Sequence, residues 1–162
     1  MSAEILRRAA SLLGLSSIAP LEALGPFVTA KVLAWVDVYA VAVLAARFDE
    51  HDPDVLLAAA LANRAPRHGH TAVDLQRLDL RDLRTEQRAA DADDNLALPS
   101  NRSAWRERVA SSPLCREPEP GDTPLVIRGA LLYTDRYFGY EDQLQSDLVE
   151  RFAEKRQAAD PA

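Results

Sequence analysis

The sequence predicts a mainly α domain of α+β character, a helical body with one short strand and a C-terminal β-hairpin. Three observations carry this. The apolar fraction of 48% is dominated by Ala and Leu, with only two Trp, four Tyr and four Phe, a mixture that favours helices over sheets. Apolar residues recur at spacings of 3 and 4 in several blocks separated by Pro and Gly, the helical period. Near the C-terminus, two short apolar runs flank Arg128-Gly129, a pairing that reads as a hairpin because Gly supplies the positive φ of a tight turn.

In chain order, Ile5, Leu6, Ala9, Leu12 and Leu13 predict an amphipathic helix over 2–14, and the turn-rich stretch from Ser16 to Pro26 is expected to be irregular. A helix is expected to begin near Lys31 or Asp37 and to run to about Phe48, apolar nearly all round and so covered by neighbours on most sides. Phe27 to Ala46 is long enough to span a bilayer, but Lys31 and Asp37 lie inside it. A mid-membrane Asp costs about 2.5–3.5 kcal/mol, so burial in a protein core is the better reading. The apolar run of the N-terminus is broken at Gly14 and Pro20 with no small-residue cleavage site after it, unlike a secretory leader.

Asp49-Glu50-His51-Asp52-Pro53 is a break and restart. Asp52 can cap the next helix, and Pro53 suits its first position, where a missing N–H costs nothing. Val55, Leu56, Ala59 and Ala62 give that helix its buried stripe to about Ala65, where Pro66 and Gly69 close it. Gly69 to Leu75 reads as a brief strand followed by a helix capped by Asp74. Between Arg81 and Arg102 charges crowd and apolar anchors thin out, the pattern of a solvated helix end and loop. A short helix over 103–111 turns Trp105 and Val109 inward, and the Pro-rich stretch 113–124 is a connector. After the hairpin, Asp135 caps a helix over 136–155 whose Tyr137, Tyr140, Leu144, Leu148 and Phe152 form one stripe, widened by Phe138 and Val149. The order helix, strand, helix, helix, hairpin is that of a winged-helix-like unit.

The net charge of −6 argues against a free-standing duplex-binding module, which carries a basic face. Nearly all cations are arginine, the lysines being Lys31 and Lys155. The single cysteine, Cys115, excludes an internal disulfide and fits a reducing, cytoplasmic setting. The nearest approach to a phosphate loop, Gly25-Pro26-Phe27-Val28-Thr29-Ala30-Lys31-Val32, lacks the Gly before Lys and the Ser or Thr after it. Lys31 then reads as the snorkelling end of a buried helix. His51, His68 and His70 lack the local N/S ligand set of a zinc site and are expected to be turn histidines, with one imidazole bonding a backbone carbonyl. Cys115 has no cationic or helix N-terminal surroundings in sequence and reads as an inert, partly covered thiol. Asp91, Asp93 and Asp94 lack the Gly turn and closing Glu of a calcium loop. The sequence therefore assigns no catalytic, cofactor-binding or metal-binding residue. Among Tyr133, Tyr137, Phe138 and Tyr140, most rings are expected in the core, with one or two at the hairpin end facing a partner, since Tyr joins area to a polar tip.

Several of these segments, in this order, resemble a known family. Val36-Asp37-Val38-Tyr39-Ala40 looks like an aspartate-started helix after a Leu-rich entry. Asp52-Pro53-Asp54-Val55-Leu56-Leu57-Ala58 resembles the D-P break that opens an Ala/Leu helix, and Gly69-His70-Thr71-Ala72-Val73-Asp74-Leu75 a G-H-x-x-x-D-L segment. Pro124-Leu125-Val126-Ile127-Arg128-Gly129 and Leu132-Tyr133-Thr134-Asp135-Arg136-Tyr137, followed by Glu141, are similar to a P-L-V-x-x-G-x-L-Y-x-D-R-Y close. Over about residues 30–155 the chain resembles the N-terminal domain of RecD, the alpha subunit of exodeoxyribonuclease V. That resemblance divides the chain into an N-terminal helix and linker (1–26), a RecD N-terminal-like helical domain (27–156) and a frayed tail (157–162).

In the family this domain leads into an ATP-driven 5′→3′ helicase motor, whose phosphate loop does not occur before Ala162. The resemblance thus implies a non-catalytic docking part in a RecBCD-type helicase–nuclease for double-strand-break repair. Its implied partners are RecC-like and RecB-like subunits, with DNA reached only through the complex, and no membrane. Tyr133, Arg136, Tyr137 and Tyr140 are the candidate interface residues. The competing expectation is a winged-helix module touching nucleic acid directly through arginines such as Arg128 and Arg136.

Overall fold

The structure, a computed structural model, describes Ser11, residues 19–83 and residues 96–159. Apart from Ser11, the expected helix over 2–14 lies outside those residues, as does the acidic group Asp91, Asp93 and Asp94.

Two short helices, α1 (Ala19–Glu22) and α2 (Gly25–Thr29), occupy the stretch expected to be irregular. Pro26 sits in the first turn of α2, where its missing N–H is harmless, and Leu21, Leu24 and Phe27 anchor both turns in the core. The chain then reverses at Lys31, whose φ of 57° is left-handed. Lys31 is therefore a turn residue rather than the end of a helix, and Val32 and Leu33 after it are buried.

Helix α3 (Trp35–Phe48) opens with the Asp37 carboxylate accepting from the Ala34 N–H at 2.8 Å. It buries Val38, Val41, Ala42 and Ala45 but leaves Val36, Tyr39 and Val43 exposed, so neighbours cover one side of it and not most of its circumference. Helix α4 (Pro53–Arg64) has the cap read from sequence, with Asp52 Oδ1 accepting from the N–H groups of Asp54 and Val55. Every residue from Val55 to Ala62 is buried, which makes α4 the axis of the domain. A 3₁₀ turn (Ala65–His68) follows and ends at Gly69, φ 81°.

Strand β1 (Ala72–Asp74) is followed by a turn rather than directly by a helix. Asp74 Oδ1 accepts from Gln76 N and Arg77 N, closing that turn. The single helical turn α5 (Leu80–Leu83) starts only after Asp79. Helix α6 (Arg102–Ser111) is capped by Asn101 and buries Trp105 and Val109 as expected. The Trp105 indole N–H donates to the Asp54 carbonyl in α4 at 2.8 Å.

The Pro-rich connector holds a strand that sequence reading missed, β2 (Cys115–Arg116). It pairs in parallel with β3 (Leu125–Arg128), which turns through Gly129 (φ 64°) into β4 (Leu131–Thr134). The sheet order is β1-β4-β3-β2, with β4 antiparallel to both neighbours. The strand and hairpin of the winged-helix-like order are present, with β2 added outside them.

Alternation divides the sheet. Leu125, Ile127 and Leu132 join the main core with α3, α4 and α6. Val126 and Tyr133 point to the other face, where Phe138 completes a small second core. Phe138 belongs to α7 (Asp135–Ala159), which begins with no residue between it and β4 and extends past the expected end at 155. The fold is mainly α with a small four-stranded sheet between helices, as the composition and periodicity predicted.

Candidate functional site

The first turns of α7 hold the predicted interface residues, and the sheet fixes their placement. Asp135 donates its backbone N–H to Pro124 O at 2.9 Å, and its carboxylate accepts from Arg116. Phe138 lies edge-on to Tyr133, with centroids 5.6 Å apart at 79°. The Arg128 and Arg116 guanidiniums approach its ring at 4.5 and 5.9 Å, a favourable arrangement against the electron-rich face. Arg128 also pairs with Asp142 at 3.0 Å, and Thr71 donates to Glu141. These contacts seat α7 on the sheet through its first two turns.

The four residues separate on this frame. Tyr133 is buried at 3% exposure and belongs to the second core, so it is not a surface residue. Burial holds its phenol above the usual range, with Glu141 adding to the effect. Tyr137 is half-buried, while Arg136 and Tyr140 are exposed. The Tyr137 and Tyr140 rings meet at 5.9 Å and 83°. Arg136 Nε donates to Tyr140 Oη at 2.9 Å, which also holds the guanidinium above its ordinary pKa. Two aromatic rings and a cation thus form one preorganised patch.

Beyond it, the expected core stripe of α7 is open. Tyr140, Leu144, Leu148, Val149 and Phe152 are all 44–67% exposed. The period located the apolar residues correctly; what it could not supply was the element packed against them. A second apolar face, Val36, Tyr39 and Val43, lies on α3.

The other chemically suggestive residues are structural. Asp37, fully buried, accepts from Ala34 N, Asn63 Nδ2 at 2.9 Å and Arg67 Nη2 at 2.5 Å. Glu50 accepts from His51 N and Asp52 N, and from the Ser112 hydroxyl at 2.5 Å. Arg64 donates to the carbonyls of Val32 and Leu83 at 2.7 and 2.9 Å, and its burial lowers its pKa. It borders a cleft of about 520 Å³ that also carries His70, Asp74, Arg77 and Asp82. His51 bonds the Asp49 carboxylate at 2.9 Å, not a backbone carbonyl. Burial pushes the Cys115 thiol up to about 12, in keeping with the inert thiol expected. Among the described residues, no group of three or more His, Cys, Asp or Glu is placed to hold a metal, and no helix is long and apolar enough to cross a membrane.

Residues 29–133 match the family described as RecBCD enzyme subunit RecD, N-terminal domain, and the chain belongs to that family. It is 36% identical over 124 residues to the RecBCD enzyme subunit RecD of Mycolicibacterium smegmatis (strain ATCC 700084 / mc(2)155), covering 74% of this chain and 19% of that protein. It is 35% identical over 137 residues to the RecBCD enzyme subunit RecD of Mycobacterium tuberculosis, strains CDC 1551 and ATCC 25618 / H37Rv, covering 83% of this chain and 21% of each relative. The chain thus spans about a fifth of the length of these relatives. No solved structure gives a significant match.

Proposed function

We propose that this chain is a non-catalytic docking domain that seats a RecD-type subunit against the RecC-like member of a RecBCD-type helicase–nuclease. In this reading it works in the cytoplasm on double-strand-break repair, within the domain bounded by residues 27–156. It meets RecB-like subunits and DNA only through the complex. ATP-dependent 5′→3′ unwinding belongs to the parent subunit's motor and not to these residues.

The observation that supports this best is the Arg136–Tyr137–Tyr140 patch. Tyr and Arg are the residue types that dominate binding energy at protein interfaces. Here the rings are already packed edge to face and Arg136 is already bonded to Tyr140, so little side-chain freedom is lost on binding. The nucleic-acid alternative is less well supported, because Arg128 is paired with Asp142 and Arg136 is bonded to Tyr140.

The test is calorimetric titration of the chain with a purified RecC-like protein. Saturable 1:1 binding is expected, weakened at least tenfold by R136A/Y140A with the far-UV spectrum unchanged. No binding, or binding indifferent to the pair of substitutions, refutes the reading. Salt-sensitive DNA binding in the absence of that protein would transfer the assignment to the nucleic-acid alternative.

A further inference from the structure

Helix α7 carries a second apolar cluster about two turns further along its axis than the Arg136–Tyr140 patch. At about 100° and 1.5 Å per residue, Val149 and Phe152 lie within about 20° and 40° of the direction in which Phe138 packs on the sheet. They stand about 16 and 21 Å further along the axis. Tyr140 points about 160° away from Phe138 on the same geometry. Asp142 and Gln145 lie between Phe138 and Val149 on that side, so Val149 and Phe152, with Leu148 about 80° round the helix from Phe138, form an outer apolar cluster of their own.

Val149 and Phe152 are 62% and 67% exposed. The shallow groove of about 470 Å³ along this stretch is lined by residues of α7 alone among those described, from Glu141 to Phe152. Where the helix leaves the hairpin, a notch of about 590 Å³ opens between Arg128 and the helix side chains from Asp142 to Glu150. Asp142, at the base of this stretch, is paired with Arg128.

We infer that this overhang is the seat of the RecD body, the part of a RecD-type subunit that follows its N-terminal domain. The family match ends at residue 133, just before α7 begins. The relatives carry roughly four-fifths of their length beyond the part this chain spans. A body packed under Leu148, Val149 and Phe152 covers their apolar surface and fills the notch beside Arg128. This inference rests on family membership and not on the docking reading.

The experiment co-expresses the full chain with M. smegmatis RecD from which the segment matched by this chain has been removed. The two are expected to co-purify as a 1:1 complex. L148D/F152D, at exposed positions that leave the fold intact, is expected to weaken the complex at least tenfold, while R136A/Y140A leaves it unchanged. A truncated RecD that stays insoluble or elutes alone overturns the inference, as does a complex indifferent to L148D/F152D. Sedimentation showing that the chain instead forms a dimer dispersed by L148D/F152D overturns it too, because the second copy would then be the occupant. Loss of RecC-like binding with this complex intact would refute only the docking reading.

Discussion

Asp37 offers a direct probe of how the helical layer is held together, because a fully buried carboxylate there serves three donors from two helices. It accepts from Ala34 N at the start of α3, and from Asn63 and Arg67 some thirty residues away. Asp37→Ala removes all three bonds and leaves the Ala34 N–H and the Asn63 amide to find other partners. A hydrogen bond to a charged group contributes about 1.5–3 kcal/mol, and breaking a buried pair by deleting one member costs about 3–5 kcal/mol. The Arg67 side chain is 41% exposed and can be rehydrated once freed, which places the expected loss at the lower end, about 3 kcal/mol. For a chain of this size that lowers Tm by about 6–12 °C.

Asp37→Asn keeps one acceptor but turns an NH₂ toward groups that are themselves donors, and about 2 kcal/mol is expected. Arg67→Ala leaves the carboxylate two neutral donors and costs about 2 kcal/mol, and the double variant is expected to lose less than the sum. Urea unfolding followed by Trp fluorescence gives all four values. If Asp37→Ala stays within about 1 kcal/mol of the parent, or the two losses simply add, the carboxylate does not hold these helices as argued.

Trp105 is fully buried and donates to Asp54 O; W105F is expected to cost about 1–2 kcal/mol for the lost bond and W105A about 3–5 kcal/mol once the cavity is added, readable by thermal denaturation. Gly129→Ala meets no neighbouring atom within 4 Å but must adopt a φ of 64°, so about 1 kcal/mol of destabilisation is expected from the backbone alone, and a neutral result would show that the hairpin relaxes. With the Cys115 thiol pushed up to about 12, the thiolate fraction in the folded chain at pH 8 is on the order of 10⁻⁴. Iodoacetamide labelling at that pH is therefore expected to be very slow until urea is added, and prompt native labelling would contradict its burial.

What the sequence disclosed was local. The Asp52–Pro53 cap, the Gly129 turn and the helix over 103–111 each depend on residues within a few positions of one another, so their signals survive without knowledge of the fold. Strand β2 was hidden because it exists only through pairing with Leu125 and Val126, across a Pro-rich stretch that discourages regular structure. Asp37 was legible as a charge too costly for a membrane, but its bonds to Asn63 and Arg67 depend on how two helices cross. The candidate site was half legible. Tyr137, Tyr140 and Arg136 were located, whereas Tyr133 was misplaced on the surface because alternation along β4 does not say that both faces of the sheet are covered. The stripe on α7 was located but not its surroundings, since a helical period reports which residues share a side and not what lies opposite them.

The junction between β4 and α7 has a mechanical consequence. Thr134 is still in the strand and Asp135 is already in the helix, leaving no slack to absorb rotation. The helix is about 37 Å long at 1.5 Å per residue. A tilt of about 5° at its base therefore swings its far end by roughly 3 Å, and a pull of that size on the far end is felt as torque on the hairpin. Whatever binds the outer turns has purchase on the sheet, by way of the pivot at Arg116, Arg128 and Phe138.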